Sequence, residues 1–267
     1  MAEPILSATD LRFGFPQRPD FMGPIDLAVQ PGQRWGVIGP NGAGKSTLLR
    51  LMAGLLRPSH GRVCLDGQSI HSISHRERAR RLGFMPQHMP RTLPTPARDI
   101  VLMGRYPHRE LGIFESATDH EIAGRAMRVT QTEAFADRRL STLSGGEAQR
   151  VHIAAAIAQE PAVLLLDEPA AALDLHHQLQ IFSVVEELSR NEEMAFVVVT
   201  HDLNLALRYC TNILLLHEGR VIAQGPPDDV IRPAILESVY EVTLRECLLA
   251  EGRWVVPVAR LNKAEEQ

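Results

Sequence analysis

The nine residues at positions 39–47, GPNGAGKST, constrain the fold of this chain more than any other stretch. They fit the pattern G-x-x-x-x-G-K-[ST], follow the apolar segment Arg34–Ile38 and lead into a helical pattern over residues 47–54. A glycine-rich loop between a buried strand and a helix presents backbone N–H groups and the positive end of the helix dipole to phosphate. The sequence therefore predicts an α/β fold that binds a nucleotide through its phosphates.

The residue types in this loop match the parts of a nucleoside triphosphate. Glycines let backbone N–H groups crowd around the β-phosphate, because no Cβ atom stands in the way. Lys45 is expected to reach the β- and γ-phosphates, and the Ser46 hydroxyl to bind Mg²⁺. The predicted nucleotide-binding residues of the loop are Gly39, Pro40, Asn41, Gly42, Ala43, Gly44, Lys45, Ser46 and Thr47.

Two adjacent acids follow another buried apolar run. Residues 163–166, VLLL, are typical of a strand covered on both faces, and Asp167 and Glu168 come directly after them. Open α/β sheets bind ligands at the carboxyl ends of their strands. We expect Asp167 to hold the water shell of the metal and Glu168 to polarise an attacking water. The alternative, that one acid only caps a helix, is weakened by Pro169.

The segment LSGGE, residues 143–147, combines a helix-capping pattern with two glycines that capping does not require. Ser144 and Glu147 fit the S-x-x-E capping box, but each glycine in the first helical turn costs roughly 1 kcal/mol relative to alanine. A helix start without Cβ atoms lets an anion approach closely. We therefore predict a second phosphate site at Ser144, Gly145 and Gly146, which closes the nucleotide site of a second copy in a head-to-tail pair.

Short apolar runs that alternate with helical patterns predict a parallel α/β sheet. Its strands are expected at 34–38, 163–166, 196–200 and 213–216, with an antiparallel β subdomain built from 11–15, 25–29 and 62–65. Helices at 99–104, 116–130 and 147–159, with no strand between them, predict an inserted helical subdomain.

We expect one domain over residues 1–267. It consists of a nucleotide-binding α/β core at 1–86 and 161–231, the helical subdomain at 87–160, and a short C-terminal extension at 232–267.

The charge balance argues against a nucleic-acid partner, because 28 Lys and Arg residues face 32 Asp and Glu residues and the net charge is −4. The first ten residues are neither a signal peptide nor a lipidation motif, and no apolar run is long enough to span a bilayer, so a cytosolic chain is expected. The run RERARR at 76–81 is interpreted as a charged exposed face, with a lipid surface as the alternative partner.

Up to about Val230, the chain resembles the nucleotide-binding subunit of an ATP-binding-cassette (ABC) transporter. The resemblance rests on segments in a fixed order: GPNGAGKST, FMPQ, LSGGEAQR, VLLLDEP, AALD and THD. It implies a P-loop NTPase core, ATP and Mg²⁺ as cofactors, and ATP hydrolysis coupled to transport.

The resemblance also implies roles for single residues. Residues 144–146 would contact the γ-phosphate bound to the opposite subunit, and Asp174 would act across the same dimer interface. Gln87 would touch metal or water and link the site to the helical subdomain. His201 would hydrogen-bond the γ-phosphate.

Two phenylalanines are candidates for the residue that stacks on adenine. Phe15 stands where the family places an aromatic residue that stacks on adenine. Phe13 is the competing choice, and a role in the core is the alternative for either ring.

Four local segments resemble the ATPases of importers for ferric siderophores, haem and cobalamin: HRERARRLGFMPQ, IVLMGRYPHR, LDLHHQLQIFSVVEEL and HDLNLALRYC. The resemblance implies integral-membrane permease subunits, an extracytoplasmic substrate-binding protein and a peripheral position on the cytoplasmic face of the inner membrane. Residues 86–96 and 101–108 are expected to line a groove for a permease loop. The alternative is a soluble ABC ATPase in cofactor assembly or repair.

Overall fold

The computed structural model describes residues 3–90, 92–109, 115–171, 173–191, 193–250 and 252–260. Its strands are β1 (Leu6–Phe15), β2 (Arg18–Val29), β3 (Arg34–Ile38), β4 (His60–Leu65), β5 (Gln68–Ser69), β6 (Leu82–Met85), β7 (Val163–Asp167), β8 (Ala195–Val199), β9 (Asn212–His217), β10 (Arg220–Gly225), β11 (Val242–Leu249) and β12 (Gly252–Arg260). Its α-helices are α1 (Lys45–Met52), α2 (His75–Arg81), α3 (Ala97–Met103), α4 (Ala117–Val129), α5 (Gly145–Ala158), α6 (Leu175–Asn191), α7 (Leu203–Tyr209), α8 (Pro227–Val230) and α9 (Pro233–Tyr240).

The central sheet has the strand order β10-β9-β3-β8-β7-β6, and only its β9–β10 pair is antiparallel among the described strands. Every residue of β7 and β8 is buried, as expected for parallel strands covered on both faces. The predictions of β3, β7, β8 and β9 are confirmed to within one residue at each end. The four residues of β6 were not predicted, because so short an apolar run after a charged helix carries no clear period.

A second sheet, with the order β2-β1-β4-β5, is antiparallel throughout its described strands. The predicted strands at 11–15 and 25–29 are the ends of the longer strands β1 and β2. Register shifts interrupt β1 after Ala8, and Asp10 has a φ of 43°, so the alternation of apolar and polar residues breaks there. Leu6 and Leu11 of this sheet pack in one core with Leu48 of α1.

The helices α3, α4 and α5 follow one another between β6 and β7, as predicted. Val101, Met127 and Val151 bury their side chains in a shared core. Within the described part of residues 86–161 there is no strand, and the only β-bridge joins Pro96 to Arg139. The limits of the helical subdomain, 87–160, stay a prediction.

The C-terminal part of the chain packs on α7. Leu236 of α9 and Val255 of β12 share a buried cluster with Ala206. The Asn204 side chain accepts a 2.9 Å hydrogen bond from the Val255 N–H and donates a 3.2 Å bond to the Val255 carbonyl. Within the predicted extension at 232–267, residues 251 and 261–267 lie outside the described residues. No helix in the described ranges is long and apolar enough to cross a membrane.

Candidate nucleotide-binding and hydrolytic site

The phosphate loop joins the end of β3 to the start of α1, as its sequence predicts. Gly39 has a φ of 145°, and a Cβ atom there would lie 2.0 Å from the Leu216 carbonyl oxygen, so the fold itself requires glycine. Gly42 also has a positive φ, of 78°, but a Cβ atom there would meet nothing within 4 Å. Beside Gly42 the backbone is therefore open to a ligand.

Lys45, the first residue of α1, is buried and holds the loop together. Its Nζ donates hydrogen bonds to the carbonyl oxygens of Gly39, at 2.8 Å, and of Pro40, at 3.0 Å. Burial lowers the pKa of the Lys45 ammonium, although Glu168 and Asp167 act to raise it. The ammonium thus lies in the loop that is predicted to surround the phosphates.

Ser46 and Asp167 meet where α1 approaches the end of β7. The Ser46 hydroxyl donates a 3.0 Å hydrogen bond to Oδ1 of Asp167, whose residue is only 1% exposed. Burial raises the pKa of the Asp167 carboxyl, although the Ser46 hydrogen bond lowers it. Oδ2 of Asp167 is buried and has no hydrogen-bond partner among the described residues. A buried carboxylate oxygen of this kind, next to a hydroxyl, suits a hard cation such as Mg²⁺.

Two residues that lie far apart in sequence, Gln87 and His201, converge on the carboxylate of Glu168. Gln87 donates a 2.6 Å hydrogen bond from Nε2 to Oε2 of Glu168, and Nε2 of His201 contacts Oε1 of the same residue. Glu168 adopts a φ of 52°, which is uncommon outside glycine and is held here by a hydrogen bond from its N–H to the Val199 carbonyl. The structure thus brings together the three residues predicted to act in hydrolysis.

An open cleft of about 400 Å³ lies between the phosphate loop and the Gln87–Glu168 pair, and neither Asp167 nor His201 is among the residues that line it. Its lining comprises six residues of the phosphate loop together with Phe21, Gln87 and Glu168. The cleft is lined by the groups expected for a triphosphate site: backbone donors, one ammonium group, the hydroxyls of Ser46 and Thr47, and a carboxylate.

A cluster of three phenylalanines lies beside the cleft. The ring of Phe15 is 4.9 Å from that of Phe13 and 5.1 Å from that of Phe21, and the Phe15 residue is 39% exposed. Phe21, which the sequence analysis missed, is the member that lines the cleft. Its position depends on how β2 pairs with β1, where Met22 faces Phe13, and a register interrupted by bulges cannot be read from the sequence.

The LSGGE segment forms the helix start that its sequence predicts. Ser144 is the N-cap of α5: its Oγ accepts from the Glu147 N–H at 3.3 Å, and its own N–H donates to the Glu147 carboxylate at 2.7 Å. Residues 144–146 are not among the residues that line the cleft of the same chain.

Asp174 lies near the LSGGE segment in the folded chain. A Cβ atom on Gly146 would come within 3.1 Å of Leu173, the residue before Asp174. The Asp174 carboxylate accepts a 2.9 Å hydrogen bond from the His177 N–H, which lowers its pKa, and contacts the His177 ring at 2.8 Å. Asp174 therefore stabilises the first turn of α6, a contact that the sequence analysis did not foresee.

Comparison with known proteins gives consistent matches. Residues 22–171 match the sequence profile of a family described as ABC transporter. The chain is 39% identical over 216 residues to the ferric enterobactin transport ATP-binding protein FepC of Escherichia coli (strain K12), which covers 81% of this chain and 80% of that protein.

Two solved structures extend the match to the fold. The first, described as a metal-chelate type ABC transporter in an inward-facing conformation, has a TM-score of 0.82 at 28% identity and covers 95% of this chain and 97% of that one. The second is an ATP-binding cassette in a dimeric, post-hydrolysis state bound to ADP and Pi. It has a TM-score of 0.74 at 26% identity and covers 83% of this chain and 98% of that one.

Proposed function

This chain belongs to the ABC transporter family of ATPases, and we propose that it is the ATP-hydrolysing subunit of an importer for a metal chelate such as a ferric siderophore, haem or cobalamin. The observation that carries the proposal is the convergence of Gln87 and His201 on Glu168 at the edge of the phosphate-loop cleft. A cleft that only bound nucleotide would not need a carboxylate held from two sides.

Hydrolysis of ATP requires a water whose oxygen attacks the γ-phosphorus while the bond to the bridging oxygen of ADP breaks. We assign Glu168 as the group that polarises this water and accepts its proton. Gln87 and His201 orient the carboxylate in the present arrangement, and with nucleotide bound His201 donates to the γ-phosphate. Lys45 neutralises charge on the β- and γ-phosphates.

The Mg²⁺ ion would be held by Ser46 and Gln87, and Asp167 would hold the water shell of the ion. Oδ2 of Asp167, which has no hydrogen-bond partner in the described part of the chain, supports this assignment, because Mg²⁺ sites in nucleotide enzymes use one or two protein ligands together with phosphate and water. When bound, the ion neutralises negative charge on the phosphates. Asp167 and Ser46 already lie in hydrogen-bond contact and need no large rearrangement.

Two copies of the chain complete each site in this proposal. Gly145 and Gly146 offer N–H groups at a helix start, yet residues 144–146 do not line the cleft of their own chain. In a head-to-tail dimer the start of α5 would face the γ-phosphate held by the partner, with Asp174 at the same interface. The dimeric state described for the ADP-bound relative supports the arrangement.

A second cavity suits the membrane partner. This docking groove, of about 310 Å³, is lined mostly by apolar side chains, among them Phe84, Met89, Leu93 and Met103. It includes Met85 at the end of β6, two residues before Gln87. An amphipathic helical loop of a permease fits such a groove. A movement of that loop would displace the end of β6, and with it Gln87 and its hydrogen bond to Glu168. The chain would thus act at the cytoplasmic face of the membrane, below a permease served by an extracytoplasmic substrate-binding protein.

The proposal is tested by isolating the tagged Glu168→Gln chain with ATP from its native membranes and identifying its partners by mass spectrometry. We expect a permease with many membrane spans in stoichiometric amount. Met103→Glu should abolish this recovery because it places a charge in the groove, whereas Leu55→Glu, at an equally exposed apolar residue elsewhere, should not. A soluble assembly protein as the sole partner would instead support a role in cofactor assembly or repair.

A further inference from the structure

The four arginines of α2 make two different kinds of contact. Arg78 donates to the Gly54 carbonyl at 3.4 Å, and Arg81 pairs with the Asp66 carboxylate at 2.8 Å. Arg76 and Arg80, one helical turn apart, instead both donate from Nε to the Pro107 carbonyl oxygen, at 3.1 and 2.8 Å. Two of the four guanidinium groups are therefore fixed side by side on one backbone oxygen.

Neither Arg76 nor Arg80 forms an ion pair with any described residue, so no acid is in contact with this pair of like charges. Both residues are exposed, and because only Nε is used, the Nη groups remain free to donate. Glu77, the one acid of α2, precedes Arg80 by three residues and so occupies a neighbouring position on the helix surface, yet among the described residues it forms no ion pair with Arg76 or Arg80. Such a fork of donors matches the geometry of a phosphate group, and a bound anion would relieve the repulsion between the guanidiniums.

An exposed aromatic residue adjoins the pair. Tyr106 directly precedes Pro107, in the 3₁₀ turn Tyr106–His108, and is 73% exposed. Tyrosine is enriched at membrane–water interfaces, because its ring enters the apolar boundary while its hydroxyl stays hydrated. Arg76, Arg80 and Tyr106 form one patch, called here the arginine–tyrosine patch, that combines phosphate donors with an interfacial aromatic ring.

The arginine–tyrosine patch lies at the rim of the docking groove. Gln159, which lines the groove, donates to the Leu82 carbonyl at 3.0 Å and also contacts the Ala79 carbonyl, next to Arg80 in α2. His108, next to Pro107, contacts the Gln159 carbonyl at 2.8 Å. The patch therefore borders the surface that would meet a permease, and this step rests on the proposed function.

We infer that the arginine–tyrosine patch binds the headgroups of anionic phospholipids and thereby orients the chain at the membrane. A lipid surface fits better than an acidic peptide, because Arg76, Arg80 and Tyr106 are exposed and are not part of the groove lining. Lipid headgroups need no pocket, and they supply the phosphate that two adjacent guanidinium groups favour.

The first test is flotation of the purified chain with vesicles of phosphatidylcholine, alone or with roughly one third phosphatidylglycerol. Binding should need the anionic lipid, and each of Arg76→Gln and Arg80→Gln should lower the partition coefficient about fivefold. The charge-matched control is the Arg190→Gln/Arg220→Gln chain, which changes two exposed arginines of α6 and β10 and should lose much less binding. Equal binding by the Arg76→Gln/Arg80→Gln chain and by this control would overturn the inference.

The second test measures the fluorescence of a tryptophan placed within the arginine–tyrosine patch. The Tyr106→Trp chain should show a shift of its emission to shorter wavelength with anionic vesicles only, while the unsubstituted chain, with Trp35 and Trp254, should show none. Absence of the shift despite binding would mean that another surface meets the lipid, and would overturn the inference.

Recovery of the permease separates this inference from the proposed function. If Arg76→Gln/Arg80→Gln abolishes recovery of the permease but leaves vesicle binding unchanged, the arginines bind a protein carboxylate and the lipid assignment is wrong. If the tagged Glu168→Gln chain with intact Arg76 and Arg80 recovers no permease, the proposed function fails, whatever the vesicles show.

Discussion

The side-chain amide of Gln87 donates a 2.6 Å hydrogen bond to Oε2 of Glu168. These residues come just after neighbouring parallel strands, β6 and β7, in which Met85 pairs with Leu166. The two strands therefore deliver both side chains to the same edge of the sheet. Because Met85 also lines the docking groove, one strand end joins the proposed partner surface to the proposed hydrolytic carboxylate.

Glu168→Gln should lower ATP turnover roughly 10²–10⁴-fold, because the amide cannot accept a proton from the attacking water. ATP binding should persist, since the phosphate loop is unchanged. Turnover is measured by phosphate release, and Glu187→Gln, at an exposed glutamate of α6, serves as the control with unchanged activity. Normal hydrolysis by the Glu168→Gln chain would contradict the assignment of Glu168 as the group that polarises the attacking water.

Lys45→Ala should weaken nucleotide binding itself, by about 10- to 100-fold, which is the range for a lost hydrogen bond to a charged group. Because Lys45 is buried and makes two hydrogen bonds to the loop, the thermal unfolding of the Lys45→Ala chain must be measured in the same preparation. Titration with a fluorescent ATP analogue gives the affinity. An unchanged affinity in a folded variant would count against the phosphate-loop assignment.

Gly146→Ala separates helix stability from function. Alanine in the first turn of α5 should stabilise the helix by up to about 1 kcal/mol. Part of this gain is offset because the new Cβ atom would lie 3.1 Å from the Leu173 side chain, which must shift slightly. ATP-dependent dimerisation should nevertheless fall, because the new methyl group would stand before the partner's phosphate. Denaturant unfolding and sedimentation are the two measurements. A variant that is stabilised and also dimerises normally would show that the glycine is not needed for an anion.

Asp119 should make the stability of the chain sensitive to acid. Burial alone would raise the pKa of its carboxyl, but hydrogen bonds from Ser116 and Arg105 outweigh it and lower the pKa to about 2. A carboxyl with a lowered pKa stabilises the fold above its ordinary value near 3.8, and this contribution is lost as the pH falls towards 2.

Asp119→Asn should therefore lower the free energy of unfolding by about 2 kcal/mol near neutral pH and flatten its dependence on pH below 4. Denaturant unfolding between pH 2 and pH 7 measures both effects. Asp20→Asn, at an exposed residue of β2, is the control. Parallel pH profiles for Asp119→Asn and the unsubstituted chain would contradict the prediction.

Much of the core was predictable because its signals are local. The apolar runs of β3, β7, β8 and β9 and the loop at 39–47 depend only on neighbouring residues. The capping box of Ser144 and Glu147 is local in the same way, and its geometry agrees with the prediction.

What could not be predicted depends on pairing between distant segments. Phe21 reaches the cleft only through the bulged register of β1 and β2, and the contact of His201 with Glu168 depends on the order of the central sheet. The two roles of the arginines in α2 depend on where Pro107 lies, which no spacing within RERARR reveals.

The central claim is that each nucleotide site is completed by the start of α5 from a second copy. The most direct measurement mixes two variants, Ser144→Arg and Lys45→Ala, both carrying Glu168→Gln to prevent turnover, and follows ATP-dependent association by sedimentation. Neither variant should dimerise alone, but the mixture should, because a heterodimer retains one intact pair of phosphate loop and LSGGE segment. A mixture that stays monomeric with ATP, while the Glu168→Gln chain alone dimerises, would contradict the account.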